Sequence, residues 1–231
     1  MKYYRRKENI FLIVLTLIGA VVWISIGRPK SVNDIYMGIG IAARPLYYMQ
    51  FLGEYIIYAW SCMGFIQTYL KRGGIYRTIR EKNKKKYICQ IQHKLALHLI
   101  YLISIRFLIY SIFFVIVNKR WEVCISKLLV STTIYFITYY ILCSFQIILE
   151  IWFGQKTAFL GIWLFNLCSL GIGDYYSKRW ILILPINSSM ELRRKPWVID
   201  HRHILVEMMI LICILTSICY LAIRKRDFFD V

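Results

Sequence analysis

Acidic residues are scarce in this chain. Twelve Asp and Glu stand against 30 Lys and Arg in 231 residues, a formal net charge of +18, and no two carboxylates have the spacing of an intramembrane acid–base centre. There is no GxxxxGK[ST] phosphate loop, which excludes ATP hydrolysis by the chain itself, no G-x-S-x-G elbow, and no HExxH helix. The seven cysteines include no CxxC pair and are scattered mostly through apolar runs, so they read as small buried hydrophobes. The positive charge comes without a groove-reading motif, which argues against nucleic acid as a partner. A large polar domain is also missing: the longest stretches between apolar runs are residues 71–94 and 174–203, too short for a catalytic core of their own.

What the chain has is oil. Hydrophobic residues make up 59% and aromatics 16%, and the mean hydropathy is +0.54, well above soluble-domain composition. Six segments are long and apolar enough to cross a bilayer: residues 10–27, 45–70, 95–117, 128–150, 157–173 and 204–223. The expected fold is therefore all-α, one polytopic transmembrane domain over residues 1–231. The first run reads as a retained span, because no A-x-A-like site follows it before Pro29.

Orientation follows from the basic loops. With both termini in the cytoplasm, the inner segments hold 17 Lys and Arg and the outer ones 12, spread over more residues; the excess marks the cytoplasmic side. Tyr47, Tyr48, Trp121, Trp152, Trp180 and Trp197 fall near span ends, where amphipathic rings prefer the headgroup level.

Four features are candidates for function. In residues 71–94, after Gly73 and Gly74, the residues Ile75, Ile79, Tyr87, Ile88 and Ile91 recur at helical spacing among Arg77, Arg80, Lys84 and Lys85. This pattern is expected to lie along the inner headgroups, either as a topology signal or as a docking helix for a cytoplasmic partner. In the outer loop, the apolar stretch from Trp180 to Ile186 is cut short by Pro185 and Asn187, which predicts a re-entrant or interfacial element. Glu54 and Arg106 fall at similar depth near the bilayer centre on successive spans. An ion pair between them competes with separate satisfaction by hydroxyls, water or a partner subunit. Gln50, His98, Gln146 and Asn166 are expected to act as interhelical glue. Finally, His201, His203 and Glu207 form a weak metal-like pattern that reads better as a wet interfacial cluster.

The basic start (Lys2, Arg5, Arg6, Lys7), six spans, a basic amphipathic loop between the second and third, and an outer loop with a Pro-containing apolar core together resemble the membrane subunit of exporter-type ATP-binding-cassette transporters. More narrowly, the layout is similar to the small Gram-positive permeases that accompany peptide-antibiotic and bacteriocin clusters. The resemblance implies a multi-pass cell-membrane protein, not an enzyme, that moves a peptide or lipid-like substrate. ATP and Mg would be bound by a separate ATPase subunit, with no cofactor on this chain. It implies that residues 1–9 form an elbow helix and that the segment around Tyr76, Arg77, Arg80, Lys84 and Lys85 couples to the ATPase. Residues 151–156 would add a second contact and residues 180–190, with Trp180, Pro185 and Asn187, a re-entrant pair. A second permease chain would complete the route, commonly through spans two and five. The competing expectations are a non-transporting membrane scaffold or sensor partner, and an intramembrane enzyme.

Overall fold

The computed structural model describes residues 2–27, 29–36, 38, 40, 45–65, 84–119, 121, 123–176, 183–194, 196 and 201–225. These are almost entirely helical, with no strand among the described residues. Six long helices, α1 (Lys2–Gly27), α2 (Pro45–Cys62), α3 (Lys84–Asn118), α4 (Ile125–Phe153), α5 (Gln155–Tyr176) and α8 (His201–Lys225), carry the fold. A 3-10 turn, Val32–Tyr36, follows α1, and two short helices, α6 (Pro185–Ser189) and α7 (Glu191–Arg194), precede α8.

Among the described residues, four segments are long and apolar enough to cross a membrane: Ile88–Asn118, Ile125–Phe153, Gln155–Tyr175 and His201–Ala222. Their burial differs sharply. Of the most apolar stretch in each, 72% is enclosed by protein in α4, 33% in α3 and in α5, and 17% in α8. α4 is accordingly the central post, packed against α2, α3, α5, α6, α8 and the 3-10 turn. The other helices turn apolar residues such as Ile112, Leu160 and Ile210 outward, as a lipid-facing surface requires.

Local sequence explains the breaks. Pro45 and Pro185 open α2 and α6, where the missing N–H costs nothing. α4 and α5 are joined by Gly154 alone, at φ 84° and ψ 170°, a region that essentially only glycine occupies. The consequence is an antiparallel pair with no slack. Asn33 of the 3-10 turn braces the head of α4, its amide facing the backbone nitrogen of Cys124 at 3.0 Å and the carbonyl at 3.3 Å once turned to suit both.

Several boundaries depart from the sequence expectation. The second apolar segment was expected over 45–70, but α2 ends at Cys62, where Met63 N–H donates to Trp60 O and Gly64 takes φ 74°, a glycine helix stop. α3 is helical from Lys84, eleven residues before the expected span at 95, so Lys84 and Lys85 lie in its first turn, and the rest of the expected surface helix falls outside the described residues. The cysteines divide as well: Cys62, Cys143 and Cys219 are buried, whereas Cys89, Cys124, Cys168 and Cys213 are exposed, since outward positions of a lipid-facing helix are as hospitable to a small apolar thiol as the interior.

Replacing Gly154 by Ala is expected to cost about 1–3 kcal/mol through backbone strain alone, because a Cβ there meets nothing within 4 Å. Gly161→Ala, whose Cβ would make only ordinary contact with Leu149, is the matched control. Thermal unfolding in mild detergent should show a lowered midpoint for the first and little change for the second.

Candidate functional site: two buried arginine clamps

Five elements converge on Arg106. α2 contributes Glu54, whose carboxylate Oε2 accepts from Arg106 Nη2 at 2.7 Å, and the same nitrogen donates to the carbonyl of Ile35 in the 3-10 turn at 3.2 Å. α3 contributes both Arg106 and, one turn on, Tyr110, whose hydroxyl donates to the other Glu54 oxygen. Ring faces enclose the guanidinium: Tyr110 and Tyr135 (α4) lie 4.7 Å from it and Tyr36 lies 5.3 Å away. From α1, Gly19 closes on the Tyr110 hydroxyl, where an added Cβ would stand 2.8 Å away, and Trp23 packs on the Tyr110 ring at 5.3 Å.

This is a closed arrangement. Glu54 and Arg106 are 6% and 5% exposed, so both charges are desolvated, and only mutual pairing plus the cation–π faces make that tolerable. Tyr55, Tyr58 and Tyr139 extend the aromatic packing, with the Tyr58 and Tyr139 rings 4.1 Å apart. The adjoining cavity, about 20 Å³ and lined by Leu12, Thr16, Glu54, Tyr58, Arg106 and Tyr110 among others, holds about one water molecule. The chemistry on offer is that of a lock between helices.

The second clamp lies where α2 and α8 begin and α5 ends. α6 is wholly buried, and Asn187 Nδ2 donates to Ser169 O at 2.9 Å. Arg193 of α7, 2% exposed, donates from Nη1 to Asn187 Oδ1 at 2.7 Å and to Leu170 O at 3.3 Å. From Nη2 it donates to Asp174 Oδ1 at 2.9 Å and to the Tyr48 hydroxyl at 3.4 Å. Gly173 leaves the space, since a Cβ there would fall 2.2 Å from Arg193 Nη1. Ile186 and Met190 pack with Phe51 and Leu170, and Lys127 of α4 meets Glu191 at 3.2 Å on the rim. Pro185 and Asn187, singled out from sequence, thus sit in a plug between helix ends. Arg193, Asp174 and Gly173 were not singled out, and Tyr48 was read only as a span-end aromatic.

The remaining sequence candidates scatter. Tyr76, Arg77, Arg80 and Trp180 lie outside the described residues, and Lys84 and Lys85 are placed only as helix backbone. Gln146 does bridge helices, donating from α4 to Ala59 O in α2 at 2.8 Å. Asn166 donates to Ile162 O of its own helix and lies beside the Tyr55 side chain of α2, and Gln92, not singled out, accepts from Tyr140 at 2.7 Å and Ser144 at 3.3 Å across α3 and α4. His201 turns toward Arg194, 3.4 Å away, while His203 and Glu207 face outward. No group of three His, Cys, Asp or Glu side chains converges as a metal site among the described residues. At the head of α4, hydrogen bonds from the Ser126 side chain and the Lys127 amide pull the exposed Cys124 thiol below its ordinary range.

A family model covers residues 9–229. The chain belongs to the DUF2705 family, described as proteins of unknown function. No curated protein and no solved structure matches it significantly. The match takes in both clamps, from α2 to α8.

Two outcomes check this geometry. Glu54→Gln alone should destabilise the protein by about 3–5 kcal/mol, because it strands a buried guanidinium, and more than the double change Glu54→Gln with Arg106→Gln; denaturation of both variants in detergent, read as a double-mutant cycle, measures the coupling. Gly173→Ala should displace Arg193 and leave Asn187 and Asp174 without it, lowering the unfolding midpoint more than Gly171→Ala, whose Cβ meets nothing within 4 Å.

Proposed function

We propose that this chain is the membrane-spanning permease subunit of an exporter-type ATP-binding-cassette transporter. It carries a peptide or lipid-like substrate across the cell membrane on energy from a separate subunit that binds ATP and Mg. In this reading α1, α2, α3, α4, α5 and α8 are six spans, both termini are cytoplasmic, and a second permease chain completes the route.

The observation that carries the reading is the plug. Within the segment between α5 and α8, α6 is buried against α4 and α5 and tied to α5 through Asn187 and Arg193, which supports the re-entrant element that the resemblance calls for over residues 180–190. A second support is the distribution of charge: nine of the 30 basic residues fall in residues 71–94, of which 84–94 open α3 at the end of the helices opposite the plug. Tyr76, Arg77, Arg80, Lys84 and Lys85 form the proposed contact with the ATPase. The α4–α5 turn at Gly154, within residues 151–156, lies at that same end and serves as the second contact.

One observation favours a different reading, a non-transporting membrane scaffold or sensor partner. Among the described residues, the cavity beside Glu54 and Arg106 offers only about 20 Å³, far too little for a substrate. The permease reading meets this by placing the route between two chains. An intramembrane enzyme is the least supported, since Glu54 is fully engaged and His203 and Glu207 face outward.

Affinity purification of the full chain from mild detergent should retain an ATPase that carries a phosphate loop. Changing Arg77, Arg80 and Lys84 together to Glu should abolish that co-purification while membrane insertion stays intact. A kinase in place of the ATPase, or co-purification indifferent to the triple change, overturns the coupling assignment.

A further inference from the structure

α8 is the least enclosed of the apolar helices, with 17% of its most apolar stretch buried. Its inward side is formed by Ile204, Met208, Cys219 and Ala222. Outward, six exposed residues, His203, Glu207, Ile210, Ile214, Ser217 and Leu221, follow one another at intervals of four, three, four, three and four. That alternation is the seam spacing of paired helices. It runs along one line of the helix, whereas the neighbouring outward positions Val206, Met209 and Cys213 are apolar and suited to lipid.

Lipid does not suit the seam. Glu207 lies six residues, about 9 Å, inside the segment that starts at His201, is exposed, and makes no ion pair among the described residues. A carboxylate against acyl chains is costly and marks a protein-facing position. Ser217, whose hydroxyl is already satisfied by Cys213 O at 2.8 Å, adds a small residue that lets a second helix approach closely.

We propose that this seam pairs with the same seam on a second copy of the chain. Copies inserted in one orientation are related by a two-fold axis along the membrane normal, so their α8 helices run parallel and the contact is self-complementary. In such a parallel pair equal positions meet at the axis, and because a helical side chain leans toward its N-terminus, each Glu207 reaches diagonally toward His203 of the other copy, one turn away, so both polar groups leave the lipid in one step. Ile210, Ile214 and Leu221 interlock below them. The inference rests on the chain spanning the membrane and specifies the second chain of the permease reading. It places the contact on the last helix, where the resemblance favours spans two and five.

The test uses the full chain in lipid vesicles with its seven cysteines replaced and single cysteines introduced by Ile210→Cys, Ile214→Cys, Leu221→Cys or, as an exposed control off the seam, Met209→Cys. Oxidation with copper phenanthroline should give disulfide-linked dimers at the three seam positions, with yields at least about fivefold above the control. Single-molecule photobleaching of the otherwise native chain should show two steps. The pair Ile210→Trp and Ile214→Trp should shift the count to one step with helical content unchanged by circular dichroism. Yields equal at Met209 and the seam, one-step bleaching of the native chain, or cross-links only to a different protein would overturn the proposal. No ATPase is present in either measurement, so a failure here is separate from a failure of the co-purification above.

Discussion

A guanidinium and a carboxylate taken out of water at the middle of a helix bundle impose a strict condition on everything around them. Each ion alone carries a desolvation penalty of several kcal/mol, so Glu54 and Arg106 must be held within hydrogen-bonding distance at all times, here at 2.7 Å. The rest of the neighbourhood serves that condition. The 3-10 turn presents the Ile35 carbonyl, Tyr110 occupies the second carboxylate oxygen, three ring faces stand in for solvent around the cation, and Gly19 has no side chain, so that α1 can seal the site. Between apolar helices in lipid there is little energetic preference for one sliding position over another, because acyl chains are as apolar as leucine. The ion pair supplies that preference between α2 and α3, while Tyr135, the Gln146 bond to Ala59 O and the Tyr140 and Ser144 bonds to Gln92 set both against α4.

The second clamp works at the end of the bundle under different conditions. Asp174 remains partly open while Arg193 is almost fully enclosed, so the cation is satisfied mostly by oxygens with no formal charge: the Asn187 amide, the Leu170 carbonyl and the Tyr48 hydroxyl. The apolar contacts of Ile186 and Met190 with Phe51 and Leu170 complete the seat. A short segment with too few residues for a span is thereby ordered by polar bonds that lipid could not provide.

How much of this was readable in advance follows from the kind of signal each part leaves. Apolar runs of 17 to 26 residues announce long helices directly, and counting residues along two such runs brings Glu54 and Arg106 to one level. The tyrosine enclosure was not readable: Tyr36, Tyr110 and Tyr135 come from three separate elements, and the 18 tyrosines of the chain dilute any local pattern. Pro185 and Asn187 stood out because they interrupt an apolar stretch. Arg193 did not, because in a chain with 30 basic residues it looked like part of the loop charge, and only the two glycines beside Asp174, Gly171 and Gly173, hinted at a close approach. Helix ends were the weakest point. The stop at Gly64 depends on a positive φ that a Gly among apolar residues does not advertise, and the early start of α3 depends on lysines that tolerate helix as readily as loop.

That early start has a mechanical consequence. α3 is unbroken from Lys84 to Asn118, with no proline in it, so Lys84 and Arg106 are two points on one stiff rod separated by 22 residues, about 33 Å. A tilt applied at the basic tip swings the guanidinium sideways against a carboxylate on α2 that tolerates almost no displacement. α2 must then follow as part of the same rigid body, or the salt bridge must snap.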